Sequence, residues 1–424
     1  MPLFSERLSA WTSLSDTFVS FFGHLPGAFW LDREHHPTAR YSVIGAGVPA
    51  KEFRPSMAVE ALDVPFSFRP GYIGVIHYGS STQNLNEYEL LSVDRAFVYD
   101  HDAKAMYFIG DFETREAFDD WHRAALLRLA LVGGECSSYE LSKPAATSAE
   151  LAAVDSRADY LAKIRRVKDH IAAGDVYQLC LTTKLRGEFT GDPLSFFLRL
   201  RREHPAPYAS FIRLPGSTYV SISPELFISA HGSRIVSSPI KGTRSRSEDL
   251  ERDQELMNQL GSDLKERAEN LMIVDLIRND MSVACDPESI QVENLLAIRS
   301  YSTVHQLVSD VSGELSEGNT SLDALAALFP GGSMTGAPKI RAMELIEKLE
   351  VEKRAGYSGA IGWIAQNGDM ELGMVIRTAI FEDDKVSIGI GGGITSDSAP
   401  EAEHEEIQLK ATALASTLGA QLRW

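Results

Sequence analysis

The strongest constraint on the fold is a series of β-strands joined by tight turns near the C-terminus. Asn367-Gly368 is the dipeptide most typical of a two-residue β-hairpin, and it lies between two strand-like runs. A second turn follows at 382–384 (Glu-Asp-Asp), and the next strand runs into three glycines at 391–393. Tight turns of this kind join antiparallel strands. The sequence therefore predicts an antiparallel meander whose last strand exposes backbone that a ligand can approach closely.

Local patterns divide the chain into two parts. Residues 1–135 show strand patterns followed by a helix over about 113–131, and we predict that they form an N-terminal β-rich subdomain. Residues 133–150 are rich in Ser, Gly, Ala and Pro and show little periodicity, which is typical of a linker. The remaining segment, 150–424, mixes strands and helices and is predicted to form the larger domain.

Charge and composition exclude several classes of function. The sequence has 59 acidic and 41 basic residues, for a net charge of −18. This balance disfavours non-specific nucleic-acid binding, so an anionic ligand needs local positive charge or a metal. No apolar run is long enough to span a membrane, and the N-terminus shows no signal-peptide pattern. The three cysteines are far apart and odd in number, so we expect no disulfide framework and predict a cytoplasmic protein.

One lysine, Lys241, lies in an unusual backbone setting. Pro239 fixes the backbone before it, and Gly242 allows close approach after it. A lysine that is kept partly out of water has a lowered pKa and can act as a nucleophile. The alternative is an ordinary surface lysine, which the local pattern alone favours.

The predicted strand register connects Lys241 to a carboxylate, Glu225. The hairpin between them is predicted to turn at Gly232. With that turn, Lys241 lies opposite Ser223 and diagonal to Glu225 on the same face. The alternative for Glu225 is a solvent-exposed strand residue.

Two predicted helices each carry a Glu-x-x-Glu pair. The pairs are Glu266 with Glu269 and Glu403 with Glu406, and residues three apart share one face of a helix. If the two faces meet, the four carboxylates repel one another unless a cation neutralises them, and oxygen-only ligands suit Mg²⁺. The alternative is that each pair is an ordinary solvated helix face, because spacing alone does not bring the helices together.

Arg377 and His305 each lie in a strand-like run and each has two interpretations. Arg377 can bind a carboxylate through two parallel hydrogen bonds, or it can face outward from a strand. His305 can donate a proton, or it can be a hydrogen-bonded core histidine. The local pattern alone favours the structural interpretation of both residues.

Several longer motifs, taken together, resemble the chorismate-utilising enzymes. The matching segments are 174–178 (Gly-Asp-Val-Tyr-Gln), 223–227 (Ser-Pro-Glu-Leu-Phe), 239–243 (Pro-Ile-Lys-Gly-Thr), 265–280, 330–339 and 391–394. The segments 265–280 and 330–339 are very specific, whereas 40–45 (Arg-Tyr-Ser-Val-Ile-Gly) is a weaker N-terminal match. The resemblance implies an α+β fold in which two large antiparallel β-sheets pack as a sandwich with helices outside. It implies that 1–135 and 150–424 share one intertwined sandwich, with 150–424 as the chorismate-binding catalytic domain.

The resemblance also implies a cofactor, Mg²⁺. Glu269 and Glu406 match the residues that hold the metal, and Glu266 and Glu403 reach it directly or through water. The metal in turn holds the ring carboxylate of chorismate.

Further site residues follow from the same resemblance. Tyr357 and Arg377 match the residues that bind the enolpyruvyl carboxylate, and His305 matches the active-site histidine of the family. The other matching substrate contacts are Gly242, Thr243, Thr335, Gly391, Gly392, Gly393 and Lys410.

Two positions separate the reactions within the family. Members that add water, the isochorismate and salicylate synthases, carry a lysine where this chain has Gln178. Anthranilate synthases have alanine where this chain has Lys241, whereas aminodeoxychorismate synthases have lysine. The resemblance is therefore closest to component I of the aminodeoxychorismate synthases. There the lysine attacks ring C2 of chorismate and expels the C4 hydroxyl, ammonia adds at C4 and displaces the lysine, and Glu225 matches the general acid/base.

The resemblance implies partners as well as chemistry. No Cys/His nucleophile motif of a glutaminase is apparent, so ammonia is expected from a separate glutamine amidotransferase subunit. The nearest alternative is anthranilate synthase component I, and the alternative from another class is a non-catalytic chorismate-binding paralogue. Cys180, Ser245 and Leu409 depart from the residues usual in the aminodeoxychorismate synthases, which bears on rate rather than on the class of reaction.

Overall fold

The structure is a computed structural model that describes residues 2–8, 11–57, 62–79, 87–301 and 304–424. It is an α+β fold built on two large, mainly antiparallel sheets with helices packed outside, which confirms the predicted fold class. None of the described helices is long and apolar enough to cross a membrane.

The described strands are β1 (Leu3–Leu8), β2 (Ala28–Asp32), β3 (Tyr41–Ala46), β4 (Val48–Pro49), β5 (Gly71–Ile76), β6 (Tyr88–Val93), β7 (Arg95–Asp100), β8 (Ala105–Asp111), β9 (Glu150–Ala153), β10 (Gln178–Glu188), β11 (Tyr208–Leu214), β12 (Ser217–Ser223), β13 (Leu226–His231), β14 (Arg234–Ser238), β15 (Ile240–Ser245), β16 (Gln291–Val292), β17 (Ala297–Ser300), β18 (Val304–Val308), β19 (Val311–Glu314), β20 (Gly336–Ala337), β21 (Ala360–Ala365), β22 (Met370–Met374), β23 (Thr378–Glu382), β24 (Lys385–Ile394) and β25 (Gln421–Arg423).

The described α-helices are α1 (Leu14–Phe21), α2 (Arg115–Leu129), α3 (Glu135–Ser142), α4 (Arg157–Ala172), α5 (Pro193–Glu203), α6 (Leu250–Ser262), α7 (Leu264–Met281), α8 (Ser321–Leu328), α9 (Lys339–Leu349) and α10 (Pro400–Leu418).

Three sheets are formed by the strands of the described residues. The larger sheet has the order β1-β8-β7-β3-β2-β11-β12-β23-β24-β10-β9-β25, with β20 paired to β10. The smaller large sheet has the order β16-β19-β14-β13-β22-β21-β5-β6-β4, and a third, small sheet has the order β15-β18-β17. Within this described part, all the pairs of named strands are antiparallel apart from β9 with β25.

The C-terminal meander crosses from one large sheet to the other. Both predicted turns are confirmed: Asn367-Gly368 joins β21 to β22, and 382–384 joins β23 to β24. The first hairpin belongs to the smaller large sheet and the second to the larger one. The segment between them, 375–377, is therefore the point where the chain passes between the sheets.

Three apolar clusters hold these layers together. One lies between the two large sheets and includes Phe29 and Ile212 from one sheet and Ile73 and Trp363 from the other. A second joins the outer face of the larger sheet to α1, α2, α4, α5, α9 and α10. A third joins the smaller large sheet to α7 and α8. Each fully buried large apolar side chain contributes about 1.5–3 kcal/mol, so these clusters are what fixes α7 and α10 in place.

Strands from 1–135 and 150–424 pair with one another in both large sheets. β2 pairs with β11 in one, and β5 pairs with β21 in the other. The predicted linker, 133–150, contains α3 and leads into β9, so it is not irregular throughout. Each large sheet therefore contains strands from both parts of the sequence.

The predicted turn at Gly232 is confirmed, but the predicted position of Lys241 opposite Ser223 is wrong. β14 ends at Ser238, and Lys241 lies on β15, which pairs with β18 in the third sheet. Pro239, between the two strands, has no N–H with which to continue the ladder of β14. Glu225 and Lys241 nevertheless border the same cavity.

Candidate active site

A cavity of about 450 Å³ is enclosed by β10 and β24 of the larger sheet, β15 and β18 of the third sheet, α7 and α10. This volume is typical of small-molecule sites. The residues proposed from the sequence that line it are Glu225, Lys241, Gly242, Thr243, Glu266, Glu269, Tyr357, Arg377, Gly391, Gly392, Gly393, Glu406 and Lys410. His305, Thr335 and Glu403 do not belong to its lining.

Three successive glycines on β24 leave room in the middle of the cavity. A Cβ atom on Gly393 would lie 3.0 Å from Lys241 Nζ and 3.7 Å from Glu269 Oε2. One on Gly392 would lie 3.4 Å from Glu403 Oε2. The missing side chains thus keep clear the space on which the lysine and the carboxylates converge.

Lys241 projects from β15 and is mostly buried. Its Nζ is 3.6 Å from Glu269 Oε2. Burial opposes the charged ammonium, but Glu269 and further acidic groups outweigh burial, so the pKa of Lys241 is raised. The expectation of a lowered pKa is therefore wrong for this arrangement, because it considered desolvation without the carboxylate beside the amine.

Glu225 borders the cavity from the segment between β12 and β13 and is buried. Ser333 Oγ donates a hydrogen bond of 2.7 Å to Glu225 Oε1. Burial raises the pKa of Glu225 to about 7, although the Ser333 hydrogen bond and two nearby lysines act to lower it. A carboxyl group that titrates near neutral pH can both donate and accept a proton, as general acid–base catalysis requires.

Glu266 and Glu269 of α7 and Glu406 of α10 line the cavity, whereas Glu403 of α10 lies behind its wall. Lys265 of α7 connects the helices, with its Nζ 3.1 Å from Glu403 Oε1 and 3.8 Å from Glu269 Oε1. On α10, Lys410 Nζ is 2.7 Å from Glu406 Oε1. The helices therefore approach one another as the metal hypothesis requires.

The carboxylates are close enough to influence one another's protonation. Burial, Glu269 and Glu406 raise the pKa of Glu266. Burial acts to raise the pKa of Glu406 as well, but Lys410 and other lysines outweigh it and the pKa is lowered. This surplus of acidic oxygens fits a hard cation such as Mg²⁺ in its chemistry. As the described side chains stand, however, no group of three or more His, Cys, Asp or Glu residues is arranged to hold an ion. Glu269, Glu403 and Glu406 are paired with lysines instead, and Glu266 with Arg244.

Arg377 presents a cation to the cavity from the crossing between the sheets. Its backbone is left-handed, with φ of 52°, a conformation that non-glycine residues adopt rarely. No carboxylate in the described part of the chain forms an ion pair with it. Burial lowers the pKa of Arg377 and raises that of the neighbouring Tyr357. A guanidinium without a partner, next to a phenol, is suited to bind a carboxylate.

The remaining lining residues complete the wall around Lys241. Gly242 has a left-handed φ of 83°, and a Cβ atom there would lie 2.8 Å from Leu260 Cδ1, so only glycine fits. Lys410 Nζ donates a hydrogen bond of 3.0 Å to the carbonyl oxygen of Gly391. Thr243 lines the cavity next to Gly242.

Thr335 and Glu403 lie behind the wall. The Thr335 hydroxyl donates to the backbone carbonyl oxygens of Gly331 and Gly332, at 3.2 and 3.3 Å. Ser398 Oγ donates a hydrogen bond of 2.6 Å to Glu403 Oε1. Thr335 therefore stabilises its own turn. Glu403 is linked to Glu269 of α7 by Lys265, which lies between the two carboxylates.

His305 faces away from the cavity. Its Nδ1 is 2.7 Å from Ser300 Oγ, and its Nε2 donates to Asp253 Oδ1 at 3.0 Å. Successive side chains of a strand point to opposite faces, so β18 turns Gln306 into the cavity instead. The surroundings of His305 are therefore those of a hydrogen-bonded core histidine.

Ser333 and Gln306 are among the cavity residues that were not proposed from the sequence. Ser333 lies within the motif 330–339, but its contact with Glu225 depends on a distant part of the chain. Gln306 is buried, and its Oε1 has no hydrogen-bond partner among the described residues. Strand alternation would have indicated Gln306 if the outward direction of His305 had been known.

Comparison with known proteins identifies the family. The profile of the chorismate binding enzymes matches residues 48–416. The chain is 36% identical over 376 residues to aminodeoxychorismate synthase, chloroplastic, of Arabidopsis thaliana, which covers 84% of this chain and 41% of that protein. It is 33% identical over an alignment of 449 residues to anthranilate synthase component 1 of Streptomyces coelicolor, which covers 98% of this chain and 88% of that protein.

A solved structure with the same architecture is anthranilate synthase component I from Streptococcus pneumoniae TIGR4. Its TM-score is 0.73 at 26% identity, and the match covers 99% of this chain and 93% of that one. The chain spans between 41% and 62% of the length of three aminodeoxychorismate synthases that it matches. From the profile match and these relatives, the chain belongs to the chorismate-binding enzyme family.

Proposed function

We propose that the chain is the aminating component of 4-amino-4-deoxychorismate synthase, which converts chorismate and ammonia into 4-amino-4-deoxychorismate. The observation that supports this most is that Lys241 and Glu225 border one cavity. One supplies a primary amine, and the other supplies a carboxyl group with a pKa of about 7. The relatives called aminodeoxychorismate synthase, at 34–36% identity, support the same choice.

The enolpyruvyl carboxylate of chorismate is assigned to Arg377 and Tyr357. The guanidinium of Arg377 lines the cavity without a carboxylate partner among the described residues, so an incoming carboxylate neutralises it without displacing another group. The left-handed backbone of Arg377 is consistent with this assignment, since strained backbone is one feature by which functional sites hold a side chain in place.

The ring carboxylate of chorismate is assigned to the side of the cavity formed by α7 and α10. Glu269 and Glu406, with Glu266 and Glu403, would hold Mg²⁺ there. When bound, Mg²⁺ supplies positive charge that holds the ring carboxylate and draws electron density from the ring. The adjoining glycines of β24 leave the ring itself exposed to Lys241.

The reaction then needs one nucleophile and one proton carrier from the chain. Because the pKa of Lys241 is raised, its ammonium must first release a proton to solvent. The amine so formed attacks ring C2, the double bonds shift, and the C4 hydroxyl leaves as water after it takes a proton from Glu225. Ammonia then adds at C4, the double bonds shift back, and the C2–N bond to Lys241 breaks. Glu225 takes up a proton from the added ammonia, which restores both residues.

Ammonia is proposed to come from a separate glutamine amidotransferase subunit. The product is proposed to feed 4-aminobenzoate and folate synthesis, for which a lyase must remove pyruvate in a further step.

One assay tests the proposal against its nearest alternatives. The purified chain is incubated with chorismate, Mg²⁺ and ammonium, and the products are separated with and without an added aminodeoxychorismate lyase. We expect 4-aminobenzoate only in the reaction that contains the lyase. Direct formation of anthranilate would contradict the proposal, and no turnover would favour a non-catalytic chorismate-binding paralogue.

Anthranilate synthase component 1 is the second candidate because a relative with that name aligns with 98% of the chain. It requires amination at C2 and loss of pyruvate in the same site. The presence of Lys241 is what weighs against it, since anthranilate synthases have alanine at the matching position.

A further inference from the structure

Lys265 occupies the space between the two acidic helices. Its Nζ is 3.1 Å from Glu403 Oε1 on α10 and 3.8 Å from Glu269 Oε1 on α7. The two carboxylates are deeply buried, with 8% of the Glu269 side chain and 3% of the Glu403 side chain exposed. Buried carboxylates need a partner charge, and here a single ammonium serves both helices.

Lys265 differs from the two other lysines of the cavity in two respects. Lys241 and Lys410 each have one close carboxylate partner, Glu269 and Glu406, whereas Lys265 bridges residues of both helices. The Lys265 side chain is also the most exposed, at 43%, compared with 14% for Lys241 and 32% for Lys410. Lys265 can therefore move its charge into water at the lowest desolvation cost.

The same carboxylate oxygens are the ones that a divalent cation would need. Both oxygens of Glu269 already have a lysine nearby, Oε2 with Lys241 and Oε1 with Lys265. Glu403 Oε1 is shared between Lys265 and Ser398. A cation that binds Glu269 and Glu403 together competes with the Lys265 ammonium for the same oxygens, because two positive charges repel each other at that distance.

We propose that Lys265 is an internal counter-cation that exchanges with the divalent metal. Its ammonium holds the carboxylates of α7 and α10 together and swings into water when the metal binds. The exchange lowers metal affinity, because the metal must replace an existing ion pair. This inference rests on the metal site of the proposed function, but not on the identity of the product.

Metal affinity is the first test. Mn²⁺, which takes the same oxygen ligands and is visible by electron paramagnetic resonance, is titrated into the wild-type chain and into Lys265→Met. We expect the variant to bind Mn²⁺ about tenfold more tightly, which corresponds to about 1.4 kcal/mol. Lys348→Met, which removes an exposed lysine on α9, is the matched control for loss of one positive charge and should leave the affinity unchanged.

Equal or weaker Mn²⁺ binding by Lys265→Met, or a similar gain in Lys348→Met, contradicts the exchange. If neither the wild type nor Lys265→Met binds Mn²⁺, the inference is also wrong. Binding by the variant alone supports it most strongly, since the lysine then blocks the site completely.

The second test uses the wild-type chain, so it does not depend on how a variant folds. Lysines are acylated for a short time with and without saturating Mn²⁺, and the modified positions are quantified by mass spectrometry. We expect Mn²⁺ to increase the labelling of Lys265 at least about twofold relative to Lys348, because the ammonium leaves its carboxylate partners for water. Unchanged or reduced labelling of Lys265 would show that the metal does not displace it.

The two proposals fail in different experiments. If the product assay gives anthranilate, the proposed amination at C4 is wrong while the Mn²⁺ results on Lys265 stand. If Mn²⁺ does not displace Lys265 but the lyase-dependent product forms, only the exchange is wrong.

Discussion

The two sides of the cavity are built in different ways. The sheet-borne side consists of Lys241, Glu225 and the glycines 391–393, and the helix-borne side consists of Glu266, Glu269 and Glu406, with Glu403 behind them. Lys241 and the glycines come from separate strands and Glu225 from the link between β12 and β13, and they meet only through the pairing of distant segments. Two of the helix-borne carboxylates find a partner one turn away, Glu269 with Lys265 and Glu406 with Lys410.

This difference determines what each side can do. Strand pairing and burial fix the sheet-borne side, which suits groups that must meet a reacting atom at a set distance. On the helix-borne side the lysine partners Lys265 and Lys410 are partly exposed, so their ammonium groups can move into water when a cation takes over the carboxylates. We therefore expect substitutions on the sheet-borne side to change the chemistry and those on the helix-borne side to change cation binding.

Lys241→Ala is expected to have the largest effect. The variant lacks the amine that forms the covalent bond to ring C2, so amination at C4 should fall by about 10⁴-fold or more, the scale on which enzymes lose activity with their nucleophile. The measurement is lyase-coupled formation of 4-aminobenzoate, combined with mass spectrometry of the wild-type chain for a chorismate adduct that the variant lacks.

Lys241→Arg separates the nucleophile from its charge. Arginine keeps a cation next to Glu269 but cannot act as a nucleophile, so this variant should fold like the wild type and remain inactive. If Lys241→Arg retains more than about a tenth of the activity, Lys241 acts through its charge and the covalent mechanism is wrong.

Glu225→Gln is expected to have the second largest effect. Glutamine can still accept the Ser333 hydrogen bond but cannot transfer a proton, so kcat should fall by about 10²- to 10³-fold. In the wild type, kcat/KM should decrease as the pH rises through about 7, where Glu225 loses the proton that it must donate. Ser333→Ala removes a hydrogen bond that lowers this pKa, so it should move the decrease to higher pH.

Although Glu225→Gln should lower activity, it should raise stability at alkaline pH. The folded-state pKa of Glu225, about 7, lies above its ordinary value of 4.5. The folded state therefore keeps a proton that the unfolded state has lost between these values, and the free energy of unfolding falls as the pH rises through this window. Glu225→Gln cannot lose that proton, so its Tm should exceed that of the wild type at pH 8 and approach it at pH 5. A variant that is less stable at pH 8 would mean that the carboxylate is well solvated.

The contrast between the two sides also explains what the sequence could predict. The Glu-x-x-Glu pairs were read correctly as helix faces because their spacing is local, and the structure has them on α7 and α10. That the helices meet depends on two apolar clusters built from the whole chain, which no local pattern reports.

The sheet-borne side shows where local reasoning fails. Lys241 and Glu225 were expected to face each other across one hairpin, but β15 leaves that sheet at Pro239 and pairs with β18. Glu269, which raises the pKa of Lys241, comes from a helix that the strand pattern could not connect to it. The family motifs identified many residues of the cavity lining without a prediction of strand pairing, because a motif is matched to the family directly and does not depend on which strands pair.

Glu269→Gln tests the helix-borne side. Glu269 is paired with both Lys241 and Lys265, so its loss removes an acidic ligand and leaves two ammonium groups with fewer partners. We expect the Mg²⁺ concentration that gives half-maximal activity to rise at least about tenfold, while activity at saturating Mg²⁺ falls much less than in Lys241→Ala. A rate as low as that of Lys241→Ala at saturating Mg²⁺ would remove the distinction between the two sides.

His305 and Gln306 allow the smallest effects to be compared within one strand. His305 is hydrogen-bonded away from the cavity, so His305→Ala should lower the free energy of unfolding by about 1–3 kcal/mol through its unpaired partners and leave kcat within about threefold. Gln306 lines the cavity with an unpartnered Oε1, so Gln306→Leu should change KM a few-fold and leave the stability equal or higher. Denaturant melts and steady-state kinetics on both variants decide the matter. Loss of turnover in a fully folded His305→Ala variant would contradict this comparison. It would mean that His305 contributes to catalysis although it faces away from the cavity, through its hydrogen bond to Asp253.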